Sequence, residues 1–466
     1  MKYDVLLKNG MVVDYATDVA RVADVAVKDG TIARIDADID PADAKDLFEL
    51  EGMTVMPGII DSHMHASSWL GGAAGHKMLA RAGVTTALDM SGPGESVYDL
   101  MLSHGVGVNI ATIEYVRPGH TVSGADPDRN EIAALLAKVM QQGSIGVKML
   151  GGHYPLTPEA TSRCIKMAAE LNAYIAFHAG TTENGSNLSG FLEAIALADG
   201  LPLHLAHINA YCRGLVKPYM EETEIAIQAL IDNPNILSES YLSPLNGTSA
   251  EIVNGVPGSD VTKRCLVTGG FTPDEKGMEE AIAKGWAQIN SPYAGETVLI
   301  TGAEAVAYWR SRNTDVTVSF AVNPVEPRIR LTAAKRPDGD FVVDCISTDG
   351  GGIPRNVIIP MGLALLDLGA LSWKEFVRKT SYNPARLLGL TGKGSLAEGK
   401  DADITVIDVK NRVADMTLID GNICLFKGNV FGKGGKVVTT KEGEAHVKSR
   451  GLGTIVVNPE DRGVRS

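Results

Sequence analysis

The feature that most constrains the fold of this chain is a rhythm of short, continuously apolar runs alternating with amphipathic stretches across residues 56–351. "VTTALDM" (84–90) precedes "ESVYDLMLSHG", "VGVNIATIEY" (106–115) precedes "NEIAALLAKVMQQG", and "IGVKML" (145–150) precedes "TPEATSRCIKMAAELN". "AYIAFHAG" (173–180) precedes "SGFLEAIALADG", and "PLHLAHINA" (202–210) precedes "EETEIAIQALIDNP". "TVMPGIIDSHMH" begins the series, while "ILSESYL" and, much later, "FVVDCISTDGG" (341–351) complete it. A strand that is apolar throughout is buried on both faces, as happens when helices cover a parallel sheet. About eight such units predict an α/β fold, a (β/α)8 TIM barrel. A doubly wound open sheet is the competing arrangement, but no Gly-rich dinucleotide loop follows the first strand.

The two ends of the chain have a different texture. Residues 1–54 read as short strands, with hairpin signals at Asn9-Gly10 and Asp29-Gly30, residue types that accept the positive φ of tight turns. Residues 402–430 repeat that style, with Asp420-Gly421 and Lys427-Gly428 between β-rich runs. The ends are therefore expected to pair into one small β-sandwich. This divides the chain into a first sandwich part (1–54), the barrel (55–392), and a second sandwich part with a C-terminal tail (393–466). From about 244 to 340 the rhythm breaks into a Gly-, Pro-, Ser- and Thr-rich, intermittently helical insertion. It reads equally as a lid or substrate loop on the catalytic face and as a loose surface excursion.

Composition narrows the partners. The 466 residues, 44% of them hydrophobic, suffice for one large domain and a satellite. Asp and Glu outnumber Lys and Arg by 56 to 43 with no basic run, so the surface repels nucleic acid and anionic membranes. A small-molecule substrate is expected, and a homo-oligomer. The five cysteines are scattered without a CxxC spacing, as for free thiols in a reducing compartment. No secretory signal and no membrane-length apolar run is visible, so a cytoplasmic location is expected.

Polar residues at the predicted strand ends carry the chemistry. His63 and His65 end the first strand, Lys148 lies in the fourth, His178 ends the fifth, His207 the sixth and Asp349 the eighth. In a barrel these all meet at the C-terminal face, where active sites of that fold lie. Alternation places His63 and His65 on one side, able to reach one ion, with Met64 on the other. His204, three residues before His207, falls on the opposite face and reads as structural.

"GIIDSHMH", with Lys148 in "GVKML", His178 in "FHAG", His207 in "AHINA" and Asp349 in "STDGG", resembles the amidohydrolase superfamily. The tail "SYNPARLLGLTGKGSLAEGKDADITVID" (381–408) is similar to the segment by which those enzymes leave the barrel and re-enter their β-sandwich. The resemblance covers nearly the whole chain apart from the insertion. It implies a divalent ion, zinc being expected, on His63, His65 and Asp349 and a second on His178 and His207. Lys148 would bridge the two after carboxylation by carbon dioxide. An ammonium would be repelled by two cations, whereas a carbamate offers an anionic, two-oxygen bridge. The implied reaction is amide hydrolysis by a metal-bridging hydroxide, with Asp349 passing the proton to the leaving nitrogen.

The branch within the family is less defined. Deaminases usually lack the bridging lysine and place a glutamate soon after the fifth-strand histidine; here the nearest acid is Glu183. Hydantoinases and dihydropyrimidinases, which open cyclic ureides, carry such a lysine and an oxyanion-binding tyrosine a few residues later. "VKMLGGHYP" offers His153 or Tyr154 for that role, and a cyclic substrate is the first expectation. "STDGGGIP" is more similar to isoaspartyl dipeptidases and N-acyl-D-amino-acid deacylases, which cleave open-chain amides. A substrate carboxylate would want Arg117, Arg213, Arg264 or Arg355, each of which reads first as a solvated surface residue. Gly350, Gly351 and Gly352 would either offer backbone amides to a ligand or simply allow tight turning. A non-catalytic metal-binding scaffold is the non-enzymatic alternative.

Overall fold

A computed structural model describes residues 1–464. Parallel strands close into a ring. Ile59–His65 pairs with Val84–Asp89, and that strand with Asn109–Thr112, which breaks at Ile113 and resumes as Glu114–Val116 beside Gly146–Leu150. Tyr174–His178, Leu203–Leu205, Ile236–Tyr241 and Cys345–Ser347 follow in order. Past Asp349 the eighth strand pairs through Gly350–Gly351 with Met64 and His65 of the first. The Ile145 amide donates to the Thr112 carbonyl at 2.8 Å across the break in the third strand, and the Asp349 amide donates to the His63 carbonyl at 2.8 Å along the closing seam. The (β/α)8 barrel expected from the apolar rhythm is the architecture of the molecule.

Helices return each strand to the next, and several start at caps visible in the sequence. Asp128, Thr157 and Asn187 accept from the backbone amides of Glu131, Ala160 and Gly190, which opens the helices Arg129–Gln141, Pro158–Glu170 and Leu188–Ala198. Met64 packs outward into the apolar layer beneath the helices, while Ile60, Leu88, Ala111, Ile113, Ala176 and Cys345 share a cluster contributed by the barrel strands. The barrel is thus filled by side chains and is not a pore.

The β-rich ends do pair: Ile404–Asp408 runs antiparallel to Met53–Pro57, joining N- and C-terminal strands in one nine-stranded sheet. Asp29-Gly30, Asp420-Gly421 and Lys427-Gly428 make the expected hairpin turns with positive φ. Asn9-Gly10 does not. Tyr3–Asp14 is one continuous strand, and both sides of Asn9-Gly10 pair with the same partner, so the dipeptide absorbs a β-bulge between Leu7 and Gly10. Beyond residue 430 the chain leaves this sheet. Lys436–Thr439 pairs in parallel with Asn109–Thr112, on the side that Gly146–Leu150 does not reach, and Gly453–Val456 pairs with it in turn.

The insertion is not a loose excursion. It folds into a four-stranded antiparallel sheet flanked by the helices Asp260–Thr268, Glu275–Ala283 and Gly302–Ser311. Its own core holds Leu266, Met278, Ile289, Val318, Phe320 and Trp309, whose indole Nε1 donates to the Ala250 carbonyl at 3.0 Å. Gly, Pro, Ser and Thr mark its many short turns, and that punctuation conceals the strands and helices between them. Arg213, just beyond the sixth strand, anchors it beside the barrel mouth by donating to Asn323 at 2.7 Å and to Asn246 at 3.3 Å.

Candidate metal centre at the barrel mouth

The six residues expected at the site converge. Asp349 Oδ1 lies 2.8 Å from His65 Nε2 and 3.2 Å from His63 Nε2. Lys148 Nζ lies 2.9 Å from the same His63 nitrogen. His207 Nε2 faces His178 Nδ1 at 3.0 Å, and the His207 ring stacks on His63 with centroids 5.4 Å apart. His63, His65 and Asp349 can present ligand atoms that all lie within 4.8 Å of one another.

The electrostatics favour cation-binding forms of these groups. Burial, reinforced by the neighbouring Lys148 ammonium, holds His63 well below the ordinary histidine range. Burial likewise lowers His65 and His178 and pushes His207 down to about 3, so the imidazoles are neutral with lone pairs available. Burial pushes the Asp349 carboxyl upward, but the Arg355 guanidinium opposes it and the group is held well below the usual carboxylate range. Lys148 is 1% exposed, and burial brings it down to about 8. The Nδ1 atoms of His65 and His207 are buried without a hydrogen-bond partner among the described residues. Two neutral imidazole nitrogens 3.0 Å apart can share one proton or one cation. Neutral imidazoles around a buried carboxylate fit divalent metal ions of the zinc type.

Other expectations meet a mixed outcome. Arg355 is not on the surface: it is 3% exposed, donates Nη2 to Asp349 Oδ2 at 2.7 Å, and lies over the Tyr241 ring at 5.0 Å. Arg213 is half-buried and also donates to the Tyr241 hydroxyl at 2.9 Å. Arg264 is exposed, and Arg117 lies over the Tyr154 ring at 4.3 Å. Of the two oxyanion candidates, His153 is the one beside the centre, its ring 5.6 Å from that of His178. The three glycines do not offer amides to a ligand. Gly350 donates to Thr348, Gly351 to Asn356, and Gly352 to the His65 carbonyl. A Cβ on Gly351 would lie 2.1 Å from the His65 carbonyl oxygen, so the close passage of strand eight against strand one requires glycine there. His204 is buried with Nδ1 2.6 Å from the Tyr174 hydroxyl.

Sequence reasoning overlooked the residues that position these side chains. Glu239 in the seventh strand is fully buried, with Oε1 2.7 Å from His63 Nδ1. Ser186 Oγ lies 2.9 Å from His178 Nε2. Asp61, pushed up to about 7 by burial, accepts from the Thr348 amide and hydroxyl and so ties strand one to strand eight below the site. An acid inside an apolar run, as in "ILSESYL", was the available signal for Glu239.

A cluster of histidines and an aspartate able to hold a metal ion at the mouth of a (β/α)8 barrel, joined to a sheet built from both chain ends, defines a class of protein. The amidohydrolase family profile matches residues 54–209 and 328–424, and the chain belongs to that family. Among curated proteins, allantoinase of Escherichia coli is 41% identical over 95 residues, a stretch that spans only 19% of this chain and 20% of the allantoinase. Among solved structures, N-acyl-D-glutamate deacylase of Bordetella bronchiseptica, complexed with zinc and a phosphonate inhibitor, superposes with a TM-score of 0.68 at 15% identity, covering 94% of this chain and 99% of the deacylase. Dihydropyrimidinase of Brevibacillus agri superposes with a TM-score of 0.61 at 18% identity, covering 93% and 97%. Among the described residues no helix is long and apolar enough to cross a membrane.

Proposed function

We propose that this protein hydrolyses an amide-type C–N bond at a binuclear metal centre, with a cyclic amide or ureide of the hydantoin or dihydropyrimidine type as substrate. The observation that carries the reading is the convergence of His63, His65, Lys148, His178, His207 and Asp349 at one barrel mouth, with the imidazoles kept neutral by burial. His63, His65 and Asp349 are assigned to one ion and His178 and His207 to the other. Lys148 is assigned to both as a carbamate. At about 8 its ammonium gives up its proton readily, and roughly a tenth is free amine at pH 7, the form that adds carbon dioxide. Divalent ions held by these residues would supply Lewis acidity toward the carbonyl and would make water a better nucleophile at neutral pH.

The chain's own residues do the rest. Arg355 keeps Asp349 ionised and fixes its Oδ2, so the carboxylate is assigned to accept a proton from the attacking water and to pass it to the leaving nitrogen. His153, beside His178, and Tyr154 are assigned to the developing oxyanion. The allantoinase match and the lysine in the fourth strand support a ring-opening reaction. An open-chain N-acyl amino acid or β-linked dipeptide is the second reading. Arg213 favours it: its hydrogen bonds go to neutral Asn323, Tyr241 and Asn246, leaving a guanidinium charge at the rim for a substrate carboxylate.

Mass spectrometry of products from zinc-loaded protein and a pool of cyclic ureides, cyclic imides, N-acyl amino acids and β-linked dipeptides tests the proposal. A product that gains one water and stays in one piece supports ring opening, whereas two fragments support the second reading. Release of ammonia would mean deamination, and metal uptake with no hydrolysis would mean a scaffold.

A further inference from the structure

We infer that Glu239 is a positioning residue whose negative charge sets the affinity of the centre for its metal ions, an inference that rests on the metal assignment above. The residue lies in the middle of the seventh strand, 0% exposed, and its carboxyl group gathers three other strands. Oε1 is 2.7 Å from His63 Nδ1 and accepts from the His207 backbone amide at 2.6 Å, and Oε2 accepts the Ser347 hydroxyl. These strands carry the ligands assigned to both ions.

Two consequences follow from this geometry. An acceptor at Nδ1 requires the His63 proton to be on that nitrogen, so the lone pair is on Nε2, the atom facing Lys148 Nζ at 2.9 Å and Asp349 Oδ1 at 3.2 Å. The same oxygen grips the backbone of His207, which has φ 38°, a left-handed conformation costly for a residue with a Cβ. That conformation turns His207 Nε2 toward His178 Nδ1. Glu239 therefore orients one ligand of each ion.

Its charge also lacks an ordinary counter-ion. Among the described residues its one contact within ion-pair distance is the His63 ring, with no Lys or Arg side chain at that distance. A buried acid with no cation in contact is costly, and divalent ions held by the histidines and Asp349 would compensate it. Metal binding and the Glu239 charge are thus expected to stabilise each other.

Glu239→Gln separates charge from shape. The amide oxygen can still accept from His63 and from the His207 amide, and the amide nitrogen can donate to Ser347. Zinc affinity is measured by competition with a chromophoric chelator, alongside thermal unfolding of the metal-free protein. The expected result is zinc binding weakened about 10–100-fold, with a metal-free unfolding midpoint no lower than that of the wild type. In cobalt-loaded protein the visible ligand-field bands should shift, which a merely structural role would leave in place. Zinc affinity equal to the wild type overturns the inference. Should Glu239→Gln fail to fold, Ser347→Ala carries the test: loss of the hydroxyl that orients Oε2 should weaken zinc several-fold, and unchanged affinity overturns the inference. Wild-type protein that takes up no zinc would overturn the metal assignment beneath it, a result distinct from a variant that binds as tightly as the wild type.

Discussion

Asp349 and Arg355 illustrate what single residues decide here. The guanidinium holds one carboxylate oxygen and leaves the other facing the histidines, so Asp349→Asn should keep the fold and much of the metal while lowering turnover by about 10²–10⁴. Steady-state kinetics beside a metal assay check this, and a fast Asp349→Asn enzyme would contradict the proton-transfer role. Titration makes a second prediction. His63, His178 and His207 have folded-state pKa values below the 6.5 of free histidine, so the unfolded chain binds more protons between about 3 and 6.5. Stability of the metal-free protein should therefore fall as pH drops through that window. Asp61, raised to about 7, has the opposite sign, because its folded form takes up a proton above the unfolded value of 3.8 and returns some stability on acidification. The histidines outnumber it, and urea unfolding at pH 7 and pH 5 reads the balance. The six residues that meet at the barrel mouth were legible in the sequence because they lie in or at the ends of apolar runs. Glu239 was not, and Arg355 was named only as a candidate for a substrate carboxylate, because burial and partners belong to the closed barrel rather than to local pattern.

Among elements, the eighth strand bears the most constraint. It pairs with the seventh up to Ser347, turns at Asp349 with φ 49°, and then closes the ring against the first strand through Gly350–Gly351. Gly351→Ala places a Cβ against the His65 carbonyl at a position with φ 70°, so a loss of about 1–3 kcal/mol is expected, together with weaker metal binding as His65 shifts. Chemical denaturation and a zinc assay measure both, and a variant as stable as the wild type would show that the seam relaxes freely. The barrel strands were legible because continuous apolar runs between amphipathic stretches have few alternatives. Asn9-Gly10 misled because a hairpin turn and a β-bulge ask for the same positive φ, and the choice depends on which strand lies alongside. The insertion's elements stayed hidden because its strands, such as Ala287–Tyr293 and Asn246–Ser249, mix polar residues into their runs and are separated by many turn-forming residues.

For the whole molecule, chain ends far apart in sequence complete the structure around the barrel. The strand Lys436–Thr439 lies against the third barrel strand, and its Val437 and Val438 are buried. Truncation after residue 430 should therefore lower the unfolding temperature of the barrel itself, as read by calorimetry; an unchanged transition would show that the barrel folds without the tail. The barrel and its satellite sheet were foreseeable from texture alone, whereas the tail's return to the barrel was not, since four residues of strand carry no address. One titration tests the binuclear centre most directly. Metal-free protein is given increasing zinc with bicarbonate, and hydrolysis of a substrate found in the product screen is followed with wild type and with Lys148→Ala. The wild type should rise from no activity to a plateau at two equivalents of zinc, and Lys148→Ala should bind less metal and remain inactive. Turnover that survives complete metal removal, or full activity in Lys148→Ala, would contradict the binuclear centre.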